Sequence, residues 1–280
     1  MKLSEINIRD PFILFYEDKY YMYGSRVGEQ RGFDVYISDD LTDWSNPVSI
    51  FEYYDGFWGT NQFWAPEVHL YHNTFYMFAS FRDNENHRGT AILTSKTPDG
   101  KFKEHSEGAV TPKKWSCLDG TLYIEDKTPY MIFCHEWTQV KNGEICMVRL
   151  SDDLKRAVSE PKLLWRAADA KWVFSVKGND EYVTDGPFLY SLNGRLICMW
   201  SSFGKKGYCQ AVAYSDNGKI DGNWLHLSQP IYEGCGHGML FNTREGNLKL
   251  VFHKPNTHTL ERACIVDIEE KNITEMIQLG

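Results

Sequence analysis

The chain has 280 residues, 41 of them aromatic (16 Phe, 16 Tyr and 9 Trp), and its 38 acids against 30 bases give a formal net charge of −8. A hydrophobic share of 42% supplies a full core and excludes a disordered chain. The acidic balance offers no basic stripe, so neither nucleic acid nor a membrane surface is expected as partner.

The opening stretch, MKLSEINIRD, lacks the apolar core of a secretory signal, and no run long enough to span a bilayer follows. A cytoplasmic protein is the simplest expectation. Seven cysteines (Cys117, Cys134, Cys146, Cys198, Cys209, Cys235 and Cys264) are odd in number and form no C-x-x-C pair, so neither a disulfide framework nor structural zinc is expected. His135 beside Glu136 is only a weak metal hint.

Helical periodicity is scarce, and short aromatic and β-branched runs separated by turn signals dominate. Five segments share one plan: RDPFILFYEDKYYMYGS from Arg9, WAPEVHLYHNTFYMFAS from Trp64, LDGTLYIEDKTPYMIFC from Leu118, TDGPFLYSLNGRLICMW from Thr184 and GHGMLFNTREGNLKLVF from Gly236. Each reads as a strand, a tight turn (Asp18-Lys19, His72-Asn73, Asp126-Lys127, Asn193-Gly194 or Glu245-Gly246) and a second strand. A further strand pair follows in most of them. Without gaps, Asp10, Ala65, Asp119, Asp185 and His237 align, at spacings of 55, 54, 66 and 52 residues. About four strands per period of roughly 55 residues is the signature of a β-propeller, one blade per repeat. The expected fold is therefore all-β, a five-bladed β-propeller of antiparallel four-stranded blades forming one domain over residues 1–280. A sandwich of long hairpins is the rival. Met1 to Ile8 could add an outermost strand that closes the ring. The mixed-charge stretch from Lys101 to Lys114 reads as a solvated loop.

The innermost strand of each blade lines the central channel, so the aligned positions should meet at one mouth of it. Asp10, Asp119 and Asp185, with Glu67 two residues beyond Ala65, would place several carboxylates around one cavity. Like charges at short range raise one another's pKa values, an arrangement that costs stability unless a ligand uses it. Two carboxylates of unequal pKa facing one cavity are what acid/base cleavage of a glycosidic bond requires.

Ile8-Arg9-Asp10-Pro11, Trp64-Ala65-Pro66-Glu67-Val68, the blade 3 aspartate and Gly236-His237-Gly238 together resemble glycoside hydrolase family 43 over nearly the whole chain. The resemblance implies a five-bladed propeller that hydrolyses α-L-arabinofuranosides, β-D-xylosides or some galactosides with inversion. It implies Asp10 as general base, Asp119 as the carboxylate that orients the sugar and raises the acid's pKa, and His237 as an axial histidine near a calcium or water site. The family's general acid is a Glu in an E-G-P motif, and this chain has Thr184-Asp185-Gly186-Pro187. Aspartate is one methylene shorter, roughly 1.5 Å, which is large against the ~2.6–3.2 Å contact of proton transfer. Asp185 is the expected acid, Glu136 in Phe133-Cys134-His135-Glu136-Trp137 is its alternative, and loss of ordinary activity stays open.

Trp64 and the loop residue Trp58 are candidate sugar platforms. Glu67, His237 and Arg262 are candidate substrate contacts, with blade packing or surface salt bridges as the plain readings. No cofactor is required, and a structural calcium on the axis remains open. The expectation is an inverting exo-glycosidase releasing a terminal pentose, α-L-arabinofuranose or β-D-xylose, from plant-type carbohydrate. A non-hydrolytic carbohydrate-binding propeller and a glycoside phosphorylase or transglycosylase are the alternatives, and the oligomeric state is unread.

Overall fold

The computed structural model describes residues 1–28 and 30–279, with side chains described through Ile277. Five antiparallel sheets follow one another along the chain. Blade 1 comprises β1 (Ile8–Tyr16), β2 (Lys19–Arg26), β3 (Gly32–Ser38) and β4 (Val48–Glu52). Blade 2 comprises β5 (Asn61–Tyr71), β6 (Thr74–Arg82), β7 (Arg88–Ser95) and β8 (Lys103–Ala109). Blade 3 comprises β9 (Cys117–Glu125), β10 (Thr128–His135), β11 (Glu144–Arg149) and β12 (Lys162–Arg166), with a single-turn helix α1 (Trp137–Val140) inserted. Blade 4 comprises β13 (Asp185–Leu192), β14 (Arg195–Gly204), β15 (Gly207–Ser215) and β16 (Trp224–His226), and β17 (Tyr232–Glu233) pairs with the other end of β15. Blade 5 has three strands, β18 (Gly236–Asn242), β19 (Leu248–Lys254) and β20 (Arg262–Asp267). The five-bladed propeller is thus the fold.

The inner hairpins turn as their sequences ask. Glu17-Asp18, His72-Asn73, Asp126-Lys127 and Asn193-Gly194 each join two strands as a two-residue loop with both residues at positive φ. Such turns match the right-handed twist of the strands they connect. In blade 1 the turn sits one residue earlier than Asp18-Lys19, because Lys19 already pairs with Tyr16.

Aromatic residues fill the space between blades. Phe33, Phe51, Phe57, Phe63 and Phe81 interlock between blades 1 and 2. Trp165, Trp172, Trp200 and Trp224 do the same between blades 3 and 4. Six of the seven cysteines are buried, Cys264 is half-buried, and all are unpaired, acting as small apolar fillers.

Two segments differ from the sequence reading. The stretch Lys101 to Lys114 carries β8, an outer strand with a mostly polar pattern because it borders solvent at the blade edge. Met1 to Ile8 makes a 3-10 turn (Leu3–Glu5) and a single bridge, Asn7 with Arg262, so the N-terminal segment touches blade 5 without forming a fourth strand. After blade 5, α2 (Glu270–Leu279) packs Ile273 and Ile277 into the apolar cluster of blades 4 and 5. Their i, i+4 spacing is a helical signal in an otherwise β sequence. Among the described residues no helix is long and apolar enough to cross a membrane.

Candidate active site

Every innermost strand breaks its ladder near its start. The register shifts between Arg9 and Phe12, Trp64 and Glu67, Asp185 and Phe188, and Gly236 and Met239, with the matching irregularity in β9 opposite Ile132 and Cys134. At each break one residue has a left-handed backbone: Asp10 (φ 52), Ala65 (φ 46), Asp119 (φ 56), Gly186 (φ 49) and His237 (φ 51). A bulge of this kind re-aims a side chain out of the sheet's alternation. Asp and His are among the non-glycine residues that tolerate this conformation best. The structural equivalent in blade 4 is therefore Gly186, not Asp185, which sits one residue earlier at the position of Arg9, Trp64, Leu118 and Gly236. The ungapped alignment was off by one there.

A cavity of about 350 Å³ opens at this mouth, and Arg9, Asp10, Ser25, Trp64, Asp119, Glu136, Asp185 and His237 are among its lining residues. His237 stands in the centre. Its Nδ1 lies 3.2 Å from Asp10 Oδ1, 3.4 Å from Asp185 Oδ1 and 3.9 Å from Asp119 Oδ2. Gly186 makes room for the ring, since a Cβ there would meet the His237 ring at 2.7 Å.

Burial and mutual charge shift all four groups. Burial works against an imidazolium, yet the three carboxylates prevail and raise the His237 pKa to about 10. Burial would also lift the Asp10 carboxyl, but the His237 and Arg9 cations hold it below the usual range. Asp10 Oδ2 accepts the Ser25 hydroxyl at 2.6 Å, and its backbone N–H donates to His253 Nδ1 at 3.3 Å. That acceptor nitrogen fits a neutral His253, whose pKa burial pushes down to about 4. Asp119 and Asp185 split in opposite directions. Burial and the neighbouring Asp185 charge push Asp119 well up, so it keeps a proton. Asp185 is held far down, because donors from His237, Asp119 and Tyr208 outweigh its burial. The Tyr208 hydroxyl donates to Asp185 Oδ2 at 2.5 Å. The pair thus shares one proton, a coupled titration belonging to both residues.

Glu136 reaches the same cavity and pairs with Arg88 Nη1 at 2.5 Å, while the Ser116 hydroxyl donates to it at 2.9 Å. The Arg88 guanidinium lies 4.6 Å over the Trp64 ring, so one face of that indole is already covered. Trp58 lies elsewhere, against Phe57 and Phe81 beside a separate shallow depression. Glu67 bonds His69 at 3.1 Å, and His69 meets Phe12, which in turn meets Phe188 of blade 4; none of these residues lines the cavity. Arg262 donates to the Ser4 and Glu261 carbonyls and does not line the cavity. It is Arg9 that Glu261 engages, at 2.9 Å. Ser25, Arg26, Trp137, Tyr208, His253 and His258 were not singled out from sequence. Of these, Tyr208 and His253 act on Asp185 and Asp10, and the rest line the cavity.

Asp119, Asp185 and His237 offer one ligand atom each within 4.8 Å of one another. A calcium ion takes six to eight oxygens, of which this set would supply those of the Asp119 and Asp185 carboxyl groups.

The model of glycosyl hydrolases family 43 matches residues 3–270, and the chain belongs to that family. The crystal structure of an endo-arabinase from Bacteroides thetaiotaomicron VPI-5482 is similar at 37% identity and TM-score 0.91, over 96% of each chain. A thermostable family-43 glycoside hydrolase matches at 28% identity and TM-score 0.82, over 94% of this chain and 90% of that one. The extracellular endo-alpha-(1->5)-L-arabinanase 1 of Bacillus subtilis (strain 168) is 28% identical over 149 residues, 48% of this chain and 45% of its own. The chain spans less than half the length of the curated relatives it matches.

Proposed function

We propose that this family 43 chain hydrolyses α-L-arabinofuranosyl linkages in arabinan-type carbohydrate, in one step and with inversion, at the cavity around His237. One observation carries the chemistry: Asp10, Asp185 and Asp119 oxygens converge on one His237 nitrogen at 3.2, 3.4 and 3.9 Å, where the surroundings hold the Asp10 carboxyl low and push Asp119 up. These are the two unequal carboxyl functions that glycosidic cleavage requires. Asp10 takes the proton of a water, which attacks the anomeric carbon on the face opposite the leaving oxygen. The Asp119–Asp185 pair gives its proton to that oxygen. His237 carries the compensating positive charge while the sugar passes through an oxocarbenium-like state, and Trp64 offers its open face to the ring.

The likeness to an endo-arabinase along the whole chain supports arabinan over xylan. An internal cut is favoured over release of a terminal sugar, because the cavity adjoins a second depression through Arg9, Trp137, Val183 and Asp185. That depression leaves room for a chain on both sides of the bond. Phosphorolysis has little to hold a phosphate: Arg9 is engaged by Glu261 and Asn256, and Arg26 by Asp34 and Glu52.

Proton NMR of the first-formed product is the decisive test. The Asp10 and Asp185 oxygens that share His237 are at most about 6.6 Å apart, which reaches only the lower edge of the ~6.5–9.5 Å separation of inverting pairs. Inversion is expected, and retention would sink the one-step account. Linear arabinan should be cut to oligomers, with aryl α-L-arabinofuranoside and aryl β-D-xyloside turned over more slowly. Asp10→Asn should lower turnover by at least a thousandfold with the fold intact. Sugar binding without product, even after long incubation, would favour a carbohydrate-binding propeller instead. Glu136→Gln compared with Asp185→Asn tests the second reading of the acid, which rests on the place of Glu136 in the cavity wall.

A further inference from the structure

The five blades are tied around the cavity by a repeated bond. In each innermost pair, the residue before the left-handed one faces a fixed partner on the second strand: Arg9 with Ser25, Trp64 with Ser80, Leu118 with Cys134, Asp185 with Ser201, Gly236 with His253. In four blades that partner's side chain accepts the backbone N–H of the next blade's left-handed residue. Ala65 donates to Ser25 Oγ at 2.8 Å, Asp119 to Ser80 Oγ at 2.8 Å, His237 to Ser201 Oγ at 2.7 Å and Asp10 to His253 Nδ1 at 3.3 Å. Blade 3 breaks the rule. Its residue is Cys134, and the Gly186 N–H donates instead to Asp119 Oδ2 at 3.1 Å.

Blades 1 and 3 carry the two aspartates at the same repeat position, and they differ at this residue. In blade 1 the Ser25 hydroxyl stands between, accepting from Ala65 and donating to Asp10 Oδ2. In blade 3 the thiol of fully buried Cys134 is a weak donor and acceptor, so Asp119 itself bridges to the next blade and receives no hydroxyl. We propose that Cys134 is a positioning residue. By withholding the hydroxyl that Ser25 supplies to Asp10, it seats the Asp119 carboxyl on the Gly186 N–H, beside Asp185. The raised pKa of Asp119 is consistent with this placement. The charged or titratable groups facing Asp119 are His237, Asp185 and Asp10, together with the Cys134 thiol itself.

The proposal rests on the catalytic reading above for its consequence, so its test has a readout that needs no turnover. Cys134→Ser and Cys134→Ala are compared with the native chain by ¹³C NMR titration of the Asp119 carboxyl, assigned with Asp119→Asn. Cys134→Ser should bring that titration down by at least one pH unit, because the new hydroxyl donates to the carboxylate. Cys134→Ala, which adds neither donor nor acceptor, should leave it within a few tenths. Linear arabinan hydrolysis, if present, should fall at least tenfold in Cys134→Ser, with its alkaline limb moved to lower pH, and stay within threefold in Cys134→Ala. Equal Asp119 titrations in the two variants would overturn the proposal. Absent hydrolysis in the native chain would overturn the catalytic reading and leave the titration to decide the role of Cys134.

Discussion

Replacing His237 with asparagine separates charge from hydrogen bonding, because the asparagine amide nitrogen sits near the place of imidazole Nδ1. In the native chain that nitrogen lies 3.2, 3.4 and 3.9 Å from three carboxyl oxygens. A pair at such distance attracts by about 4 kcal/mol in an intermediate dielectric, and desolvation of the buried cation takes back much of it. Breaking a buried pair by removing one partner typically costs about 3–5 kcal/mol. Proton linkage gives a similar size: a pKa raised from 6.5 to about 10 corresponds to roughly 5 kcal/mol. The sign follows from the direction. Because the folded value lies above the unfolded one, this stability is fully present below pH 6.5 and is lost as pH rises towards 10. Urea unfolding between pH 6 and 10 should therefore show a native midpoint that falls steadily with pH. His237→Asn should start about 3–5 kcal/mol lower at pH 6 and lack most of that slope. A native midpoint flat from pH 7 to 10, or a variant equal to native at pH 6, would show that His237 is neutral and that the account of the site's charge is wrong.

Two further predictions concern the surrounding scaffold. Gly186→Ala would place a methyl 2.7 Å from the His237 ring at a backbone φ of +49, and should cost at least about 2 kcal/mol in urea unfolding; a loss below 0.5 would mean the ring is free to move. On the acid side, half-buried His226 sits among Trp165 and Trp200 with neither ring nitrogen bonded among the described residues, and burial lowers its pKa to about 4. Its folded value lies below the unfolded one, so the unfolded chain takes up the proton first and stability falls as pH drops from 6.5 to 4, by up to about 3 kcal/mol. His226→Phe should flatten that acid slope, and an unchanged slope would assign it to His253 or the carboxylates.

The fold was legible because propeller blades repeat, and repeats are visible as period rather than as any single residue. Turn chemistry at His72-Asn73 and Asn193-Gly194 fixed the hairpins independently. The site was legible where a repeat position carries its own chemistry, as at Asp10, Asp119 and His237. It blurred where the comparison slid by one residue, placing Asp185 in a column that belongs to Gly186. The same slip hid Ser201, and a longer hairpin in blade 5 hid His253. Ser25, Ser80 and Cys134 close their quoted segments, whereas Ser201 and His253 fall one residue beyond, so the column could not be seen as one. Glu67 and Arg262 fit the pattern of site residues in one dimension, and the bulge geometry and ring packing that turn them elsewhere are properties of neighbouring blades. The helix α2 was missed because only Ile273 and Ile277 mark its buried side.

The bond from the Asp10 N–H to His253 joins the first blade to the last, and of the two cations that hold the Asp10 carboxyl low, Arg9 is its chain neighbour and His237 comes from the last blade. A ribosome delivers Asp10 more than two hundred residues before His237 and His253. Partly synthesised chains would therefore lack both of the histidines that meet Asp10 in the finished ring. The cavity around His237 would be complete only when the fifth blade docks against the first, so assembly of the candidate site and closure of the ring would be the same event in the life of the chain.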